Sequence, residues 1–129
     1  MRKIILMILL SVMLLTSCAM EDAAKTAEGY RIITAQEAKE IMDTREDYIL
    51  LDVRTQSEYD AGHIPGAILI PNTEIAQRAE QELPNKDQLI LIYCRSGNRS
   101  KQAAKILADM GYTDVREFGG IRDWPYDVE

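Results

Sequence analysis

Histidine occurs once in this chain, at His63, and cysteine only twice, at Cys18 and Cys94. Structural zinc sites use about four nitrogen or sulfur ligands, so no metal site is expected, and two cysteines cannot build a disulfide framework. No run of about five or more basic residues occurs. With a net charge of −6, the chain is not expected to bind nucleic acid through bulk electrostatics. The 4 prolines and 7 glycines are too few for a low-complexity chain, and apolar residues, 47% of the total, recur throughout, so disorder is not expected either. A length of 129 residues allows one buried core and leaves no room for a second enzymatic domain. No cofactor is implied.

What is present begins with a signal. Met1-Arg2-Lys3 is a basic head, residues 4–15 are an apolar stretch of 12, and Thr16-Ser17-Cys18 is a small-residue end. This is the anatomy of an export signal. About 20 apolar residues are needed to cross a bilayer as a helix, so the run is not read as a transmembrane span. Leu15-Thr16-Ser17-Cys18 resembles the bacterial lipobox, whose cysteine is diacylated and becomes the first residue of the mature chain. An ordinary cleaved signal with an incidental cysteine is the alternative. Residues 1–17 are therefore expected to be a lipoprotein signal peptide and Cys18 the lipidation site. The mature protein would be exported and lipid-anchored to a bacterial membrane, on its periplasmic or extracellular face. Removing Arg2 and Lys3 moves the net charge from −6 to −8. Residues 18–29 are small and polar without apolar periodicity and are expected to be a flexible tether, leaving 30–129 as the folded domain.

From Tyr30 onward, short apolar runs alternate with segments of helical period, the pattern of βα units around a parallel sheet. Arg31–Ile33 predicts a brief strand, and Thr34 with Glu37 has the spacing of a capping box opening a helix to about Asp43. Further strands are predicted at 48–53, 67–70, 89–93 and 115–118, and helical segments at 57–60, 74–82 and about 99–110. The predicted class is α/β, with a central, mainly parallel sheet of about five strands flanked by helices.

Cys94 follows the most apolar of these strands and precedes a glycine-containing turn and a helix. Open α/β sheets place ligands at that edge. Backbone N–H groups of a tight turn can converge there, and the helix dipole adds partial positive charge. Arg95, Arg99, Lys101 and Lys105 follow with no acid between residues 94 and 108, a local reversal in an acidic chain. A thiol in this setting is expected to ionise readily and act as a nucleophile, the bland alternative being a buried, inert cysteine. Cysteine phosphatases use a similar strand, loop and helix, with five residues between cysteine and arginine. Here only Arg95, Ser96, Gly97 and Asn98 separate Cys94 from Arg99. The shorter loop makes a smaller cradle than that pattern, which argues against a tetrahedral phosphate.

Leu51-Asp52-Val53-Arg54, continuing through Glu58-Tyr59-Asp60 to Gly62-His63-Ile64-Pro65-Gly66-Ala67, resembles the first signature of the rhodanese family. Gly111 to Trp124, with Phe118-Gly119-Gly120-Ile121, resembles the second, and the Cys94 loop lies between them at the family's usual separation. The resemblance covers about residues 31–124. It implies a rhodanese-like fold and a sulfurtransferase, in which a donor such as thiosulfate leaves its outer sulfur on Cys94 as a persulfide and a thiol or cyanide removes it. Cys94 is then the catalytic residue, and Arg95, Ser96, Gly97, Asn98 and Arg99 form the substrate-binding loop. The expected partners are a small anionic sulfur donor, a thiol or cyanide acceptor and, through the N-terminal lipid, a membrane; nucleic acid is not among them, and the chain is expected to be a monomer. The alternative is a rhodanese-like binding or regulatory module without turnover. Such modules commonly lack the cysteine or the basic loop, and both are present here. Asp52 and Arg54 are expected to form a structural ion pair, with a place in the site wall as the alternative. Glu58 and Tyr59 are expected to pack and cap, His63 to satisfy nearby backbone rather than act as a base, Gly119 and Gly120 to permit a turn, and Trp124 to close the core.

Overall fold

The structure, a computed structural model, describes residues 23–129, so the expected signal peptide, Cys18 and the first part of the expected tether lie outside the described residues. Five strands form one sheet: β1 (Arg31–Ile32), β2 (Tyr48–Asp52), β3 (Ile68–Leu69), β4 (Leu89–Cys94) and β5 (Val115–Gly120). Their order is β1-β5-β4-β2-β3, and every pairing is parallel. The helices are α1 (Ala35–Thr44), α2 (Gln56–Ala61), α3 (Ile75–Glu82) and α4 (Asn98–Asp109), with 3-10 turns at Asn72–Glu74 and Ile121–Asp123.

All six residues of β4 are buried, as a central strand covered on both faces requires. Its alternate side chains divide between two layers. Ile90, Ile92 and Cys94 pack with Leu51 and Val53 against Ile75, Ala79 and Leu83 of the α3 segment and Ala103, Ala104 and Leu107 of α4. Leu89, Leu91 and Tyr93 face Ala38, Ile64, Ala67, Phe118 and Trp124. Each fully buried Leu or Ile contributes roughly 1.5–3 kcal/mol, so these two layers supply most of the drive to fold.

Helix starts follow local chemistry. Thr34 accepts from the Glu37 N–H at 3.0 Å. The segment expected to be a single turn at 57–60 is the longer α2, because Thr55 and Glu58 close a complete capping box ahead of it. Gly119 and Gly120, expected in a turn, are instead the last residues of β5. The stretch expected to be a tether also differs in its later part. Lys25 bridges Arg31, the Thr26 N–H donates to the Tyr30 carbonyl at 2.7 Å, and Gly29, at φ +89°, reverses the chain. Backbone pairing and burial of Tyr30 thus fasten residues 25–30 to the domain.

The Asp52 carboxylate at the end of β2 accepts from the Arg54 backbone N–H at 2.9 Å, Arg54 Nη2 at 2.7 Å and the Tyr93 hydroxyl at 2.7 Å. Arg54 Nη2 also donates to the Gly62 carbonyl at 2.7 Å. Charges this deeply buried persist only when so fully partnered. The expected structural ion pair is therefore present, and it braces the loop that follows β2.

Candidate active site

The connection after β2 leads through α2 to β3 on one side, whereas the connection after β4 leads through α4 to β5 on the other. β2 and β4 are neighbours, so their loops diverge and open a crevice at the carboxyl edge of the sheet. Cys94 ends β4 inside that crevice, 1% exposed. The Gly97 N–H donates to its Sγ at 3.0 Å and the Ser100 hydroxyl lies 3.3 Å from it. Gly97 adopts φ +104° as the residue before α4, a conformation glycine takes without steric cost.

Burial disfavours the Cys94 thiolate more than any single contact favours it. The Ser100 hydroxyl and the backbone N–H groups of Ser100, Gly97 and Ser96 together outweigh that penalty and hold the thiol below its ordinary value. The result is a nucleophile facing convergent donors, which also suit an anionic sulfur bound to it.

Beneath the loop runs β5. Gly120 is the register partner of Cys94, next to an irregularity between Ile92 and Cys94. A Cβ on Gly120 would overlap the Arg95 carbonyl and come within 2.5 Å of the Ser96 nitrogen, so glycine is required by close approach. Glu117, 1% exposed, lies below the same loop and accepts from the Ser100 hydroxyl at 2.7 Å.

A cavity of about 320 Å³ beside the loop is lined by Arg54, Glu58, Ala61, Arg95, Ile121 and Arg122. The Arg122 N–H donates to the Arg95 carbonyl at 3.2 Å, tying the 3-10 turn after β5 to the rim. Arg95 is exposed at this rim. Arg99, expected to meet an anion, instead makes a two-pronged contact with Glu58 at 2.7 and 2.9 Å. Glu58 in turn accepts from the Thr55 hydroxyl at 3.1 Å, so one carboxylate both caps α2 and anchors the loop after Cys94.

Hydrogen bonds from Arg99 hold Glu58 down to about 2 against an ordinary 4.5. A folded value below the unfolded one stabilises the protein above the unfolded value and loses that stabilisation as pH falls toward the folded one. Glu58→Gln should therefore lower the urea midpoint at neutral pH, and its deficit relative to the parent should close between pH 4.5 and pH 2. A deficit of equal size at neutral and strongly acidic pH would rule out this linkage.

Of the expected loop residues, Ser96 and Gly97 aim their N–H groups at the sulfur, Arg95 and Asn98 are exposed around it, and Arg99 braces from the side. His63 has its Nδ1 2.9 Å from the Tyr59 carbonyl and its ring stacked 3.8 Å from that of Tyr59. Ser100, Glu117 and Arg122 were not singled out from sequence. For Glu117 a signal exists: with period two, it shares a face of β5 with Val115, which is buried.

The fold and site define a parallel α/β domain in which a buried cysteine, cradled by backbone N–H groups, ends a central strand at the switch point of the sheet. The chain belongs to the rhodanese-like domain family, which matches residues 34–126. It is 41% identical over 73 residues to the thiosulfate sulfurtransferase PspE of Escherichia coli (strain K12), covering 57% of this chain and 70% of that protein. It is 36% identical over 98 residues to the thiosulfate sulfurtransferase GlpE of Pseudoalteromonas translucida, covering 74% of this chain and 90% of that one. Among solved structures, a rhodanese with anions from E. coli superposes with a TM-score of 0.60 at 36% identity, covering 64% of this chain and 96% of that one.

Proposed function

We propose that the protein is a sulfurtransferase that takes sulfane sulfur from thiosulfate or a similar anionic donor and passes it through a Cys94 persulfide to a thiol or cyanide. The observation that carries this reading is Cys94 Sγ at the end of β4, accepting from the Gly97 N–H at 3.0 Å with the Ser100 hydroxyl 3.3 Å away. The names of the two curated relatives support it. In the first step the Cys94 thiolate attacks the outer sulfur of thiosulfate, the S–S bond of the donor breaks, and sulfite departs with the electron pair. In the second, cyanide or an acceptor thiolate attacks the outer sulfur of the persulfide, and Cys94 leaves as thiolate. No net electron or proton is consumed, and no cofactor is needed.

Thiosulfate alone should make the full chain heavier by one sulfur atom, and cyanide should restore the original mass and release thiocyanate. An unchanged mass in folded protein whose Cys94 still reacts with alkylating agents would rule out thiosulfate as the donor and leave either a different sulfur compound or a binding module. Arg95 supplies charge at the rim of an otherwise acidic protein. Arg95→Ala should raise KM for thiosulfate about three- to tenfold, roughly 1 kcal/mol, with little effect on stability. An unchanged KM would remove Arg95 from the donor site.

The N-terminal reading stands as a further part of the proposal: Cys18 carries the lipid and places the domain on a bacterial membrane, on the periplasmic or extracellular side. Its support is the order of basic head, short apolar run and Leu15-Thr16-Ser17-Cys18. Cys18→Ser should block acylation and processing in cells while leaving the domain active. A mature N-terminus that begins elsewhere, without lipid by mass spectrometry, would sink it.

A further inference from the structure

Glu117 is a buried carboxylate that the sulfur-transfer steps leave unused. Its Oε1 accepts from the Gly119 N–H at 2.7 Å and from the Ser100 hydroxyl at 2.7 Å. The same hydroxyl oxygen lies 3.3 Å from Cys94 Sγ, 3.0 Å from the Gly97 carbonyl and 3.4 Å from the Gly119 carbonyl. A serine hydroxyl carries a single proton, so these acceptors compete for it. A 2.7 Å bond to a carboxylate is charge-assisted and of near-ideal length, whereas 3.3 Å to sulfur is a longer contact with a weak acceptor. The carboxylate therefore holds the proton at rest, and an oxygen lone pair faces the sulfur. A lone pair suits a thiol, whose S–H can donate to it, and opposes a thiolate.

We infer that Glu117 is a positioning residue that competes with Cys94 for the Ser100 hydroxyl proton and so restrains the nucleophile between turnovers. The inference rests on Cys94 as the sulfur-carrying nucleophile. When Cys94 ionises, its proton leaves to solvent and the hydroxyl proton turns toward the sulfur, while Glu117 keeps the Gly119 N–H. When sulfur is loaded, the negative charge moves to the outer atom and the proton can return to Glu117. The other charged and titratable groups around this cluster are Arg95 in the loop and Arg99 of α4, the latter held by Glu58 of α2, Asp52 with Arg54 after β2, and the Tyr30 phenol before β1. All are kept in the variants that test the idea.

The test is the pH dependence of iodoacetamide alkylation at Cys94 in the full chain, followed on the Cys94 peptide by mass spectrometry. In Glu117→Gln the neutral amide oxygen can still accept from Gly119 but loses its charge-assisted hold on the hydroxyl. The alkylation midpoint should fall by about half a pH unit, giving roughly threefold more thiolate below the midpoint. In a Ser100→Ala background the same change at Glu117 should leave the midpoint where it is. Glu117→Asp keeps the charge but withdraws it from Ser100, and should lower the midpoint as Glu117→Gln does. An equal shift with and without Ser100 would mean that the charge acts directly through space and would overturn the inference, as would no shift at all. If Glu117→Gln does not fold, Glu117→Asp decides alone, and an unchanged midpoint there refutes the competition. Alkylation requires no sulfur donor, so these outcomes stand apart from the mass test of sulfur transfer.

Discussion

Cys94→Ser is expected to lose sulfur transfer by roughly a thousandfold or more while the domain stays folded. A serine oxygen is protonated at neutral pH and cannot form the S–S bond that holds the transferred atom. The loop itself should survive, because a hydroxyl can receive the hydrogen bond that the Gly97 N–H now directs at the sulfur. Thiosulfate should then leave the mass of the variant unchanged, thiocyanate production should fall to background, and the urea midpoint should move little. Residual transfer at a tenth of the parent rate would mean that another group carries the sulfur. Cys94 is the free cysteine among the described residues, so such a result would turn attention to Cys18.

Gly120→Ala is expected to cost about 3 kcal/mol or more of stability and to lose activity even in whatever fraction folds. The added methyl would meet the backbone of Arg95 and Ser96, which cannot turn aside as a flexible side chain could. Either β5 moves away from β4, breaking the parallel pairing at Cys94, or the loop lifts and takes the Gly97 N–H off the sulfur. Gly119→Ala is the informative contrast. Gly119 sits at φ +90° with nothing within 4 Å of a built Cβ, so it should show only the backbone strain of about 1–2 kcal/mol. Urea denaturation of the two variants side by side checks the argument. If Gly120→Ala is as stable as Gly119→Ala or more so, the close approach of β5 to the loop is not the constraint described here.

The strands, the helices and the cysteine that ends β4 can be read from residues in order along the chain. Burial on both faces makes β4 a continuous apolar run, Thr34 and Glu37 sit one helical turn apart, and the length of the loop from Cys94 to Arg99 is a simple count. These are short-range features, encoded within a few residues. Asp52 and Arg54 were legible as a pair for the same reason, lying two positions apart at a strand end.

What the sequence left open is whatever joins distant segments. Glu58 and Arg99 are 41 positions apart, and Ser100 and Glu117 are 17 apart. Read alone, Arg99 belongs to a run of unopposed positive charge, which suggests a substrate role, with bracing of the loop as the alternative. Only the strand order, which sets β2 beside β4, brings α2 and its Glu58 against the loop after Cys94 and pairs that arginine with a carboxylate. Glu117 likewise became part of the site because β5 lies on the other side of β4, passing so close under the loop that only Gly120 fits. Periodicity and capping depend on the geometry of one element and are written locally. Which charges neutralise one another, and which proton a nucleophile must share, depend on the crossovers that decide which elements become neighbours.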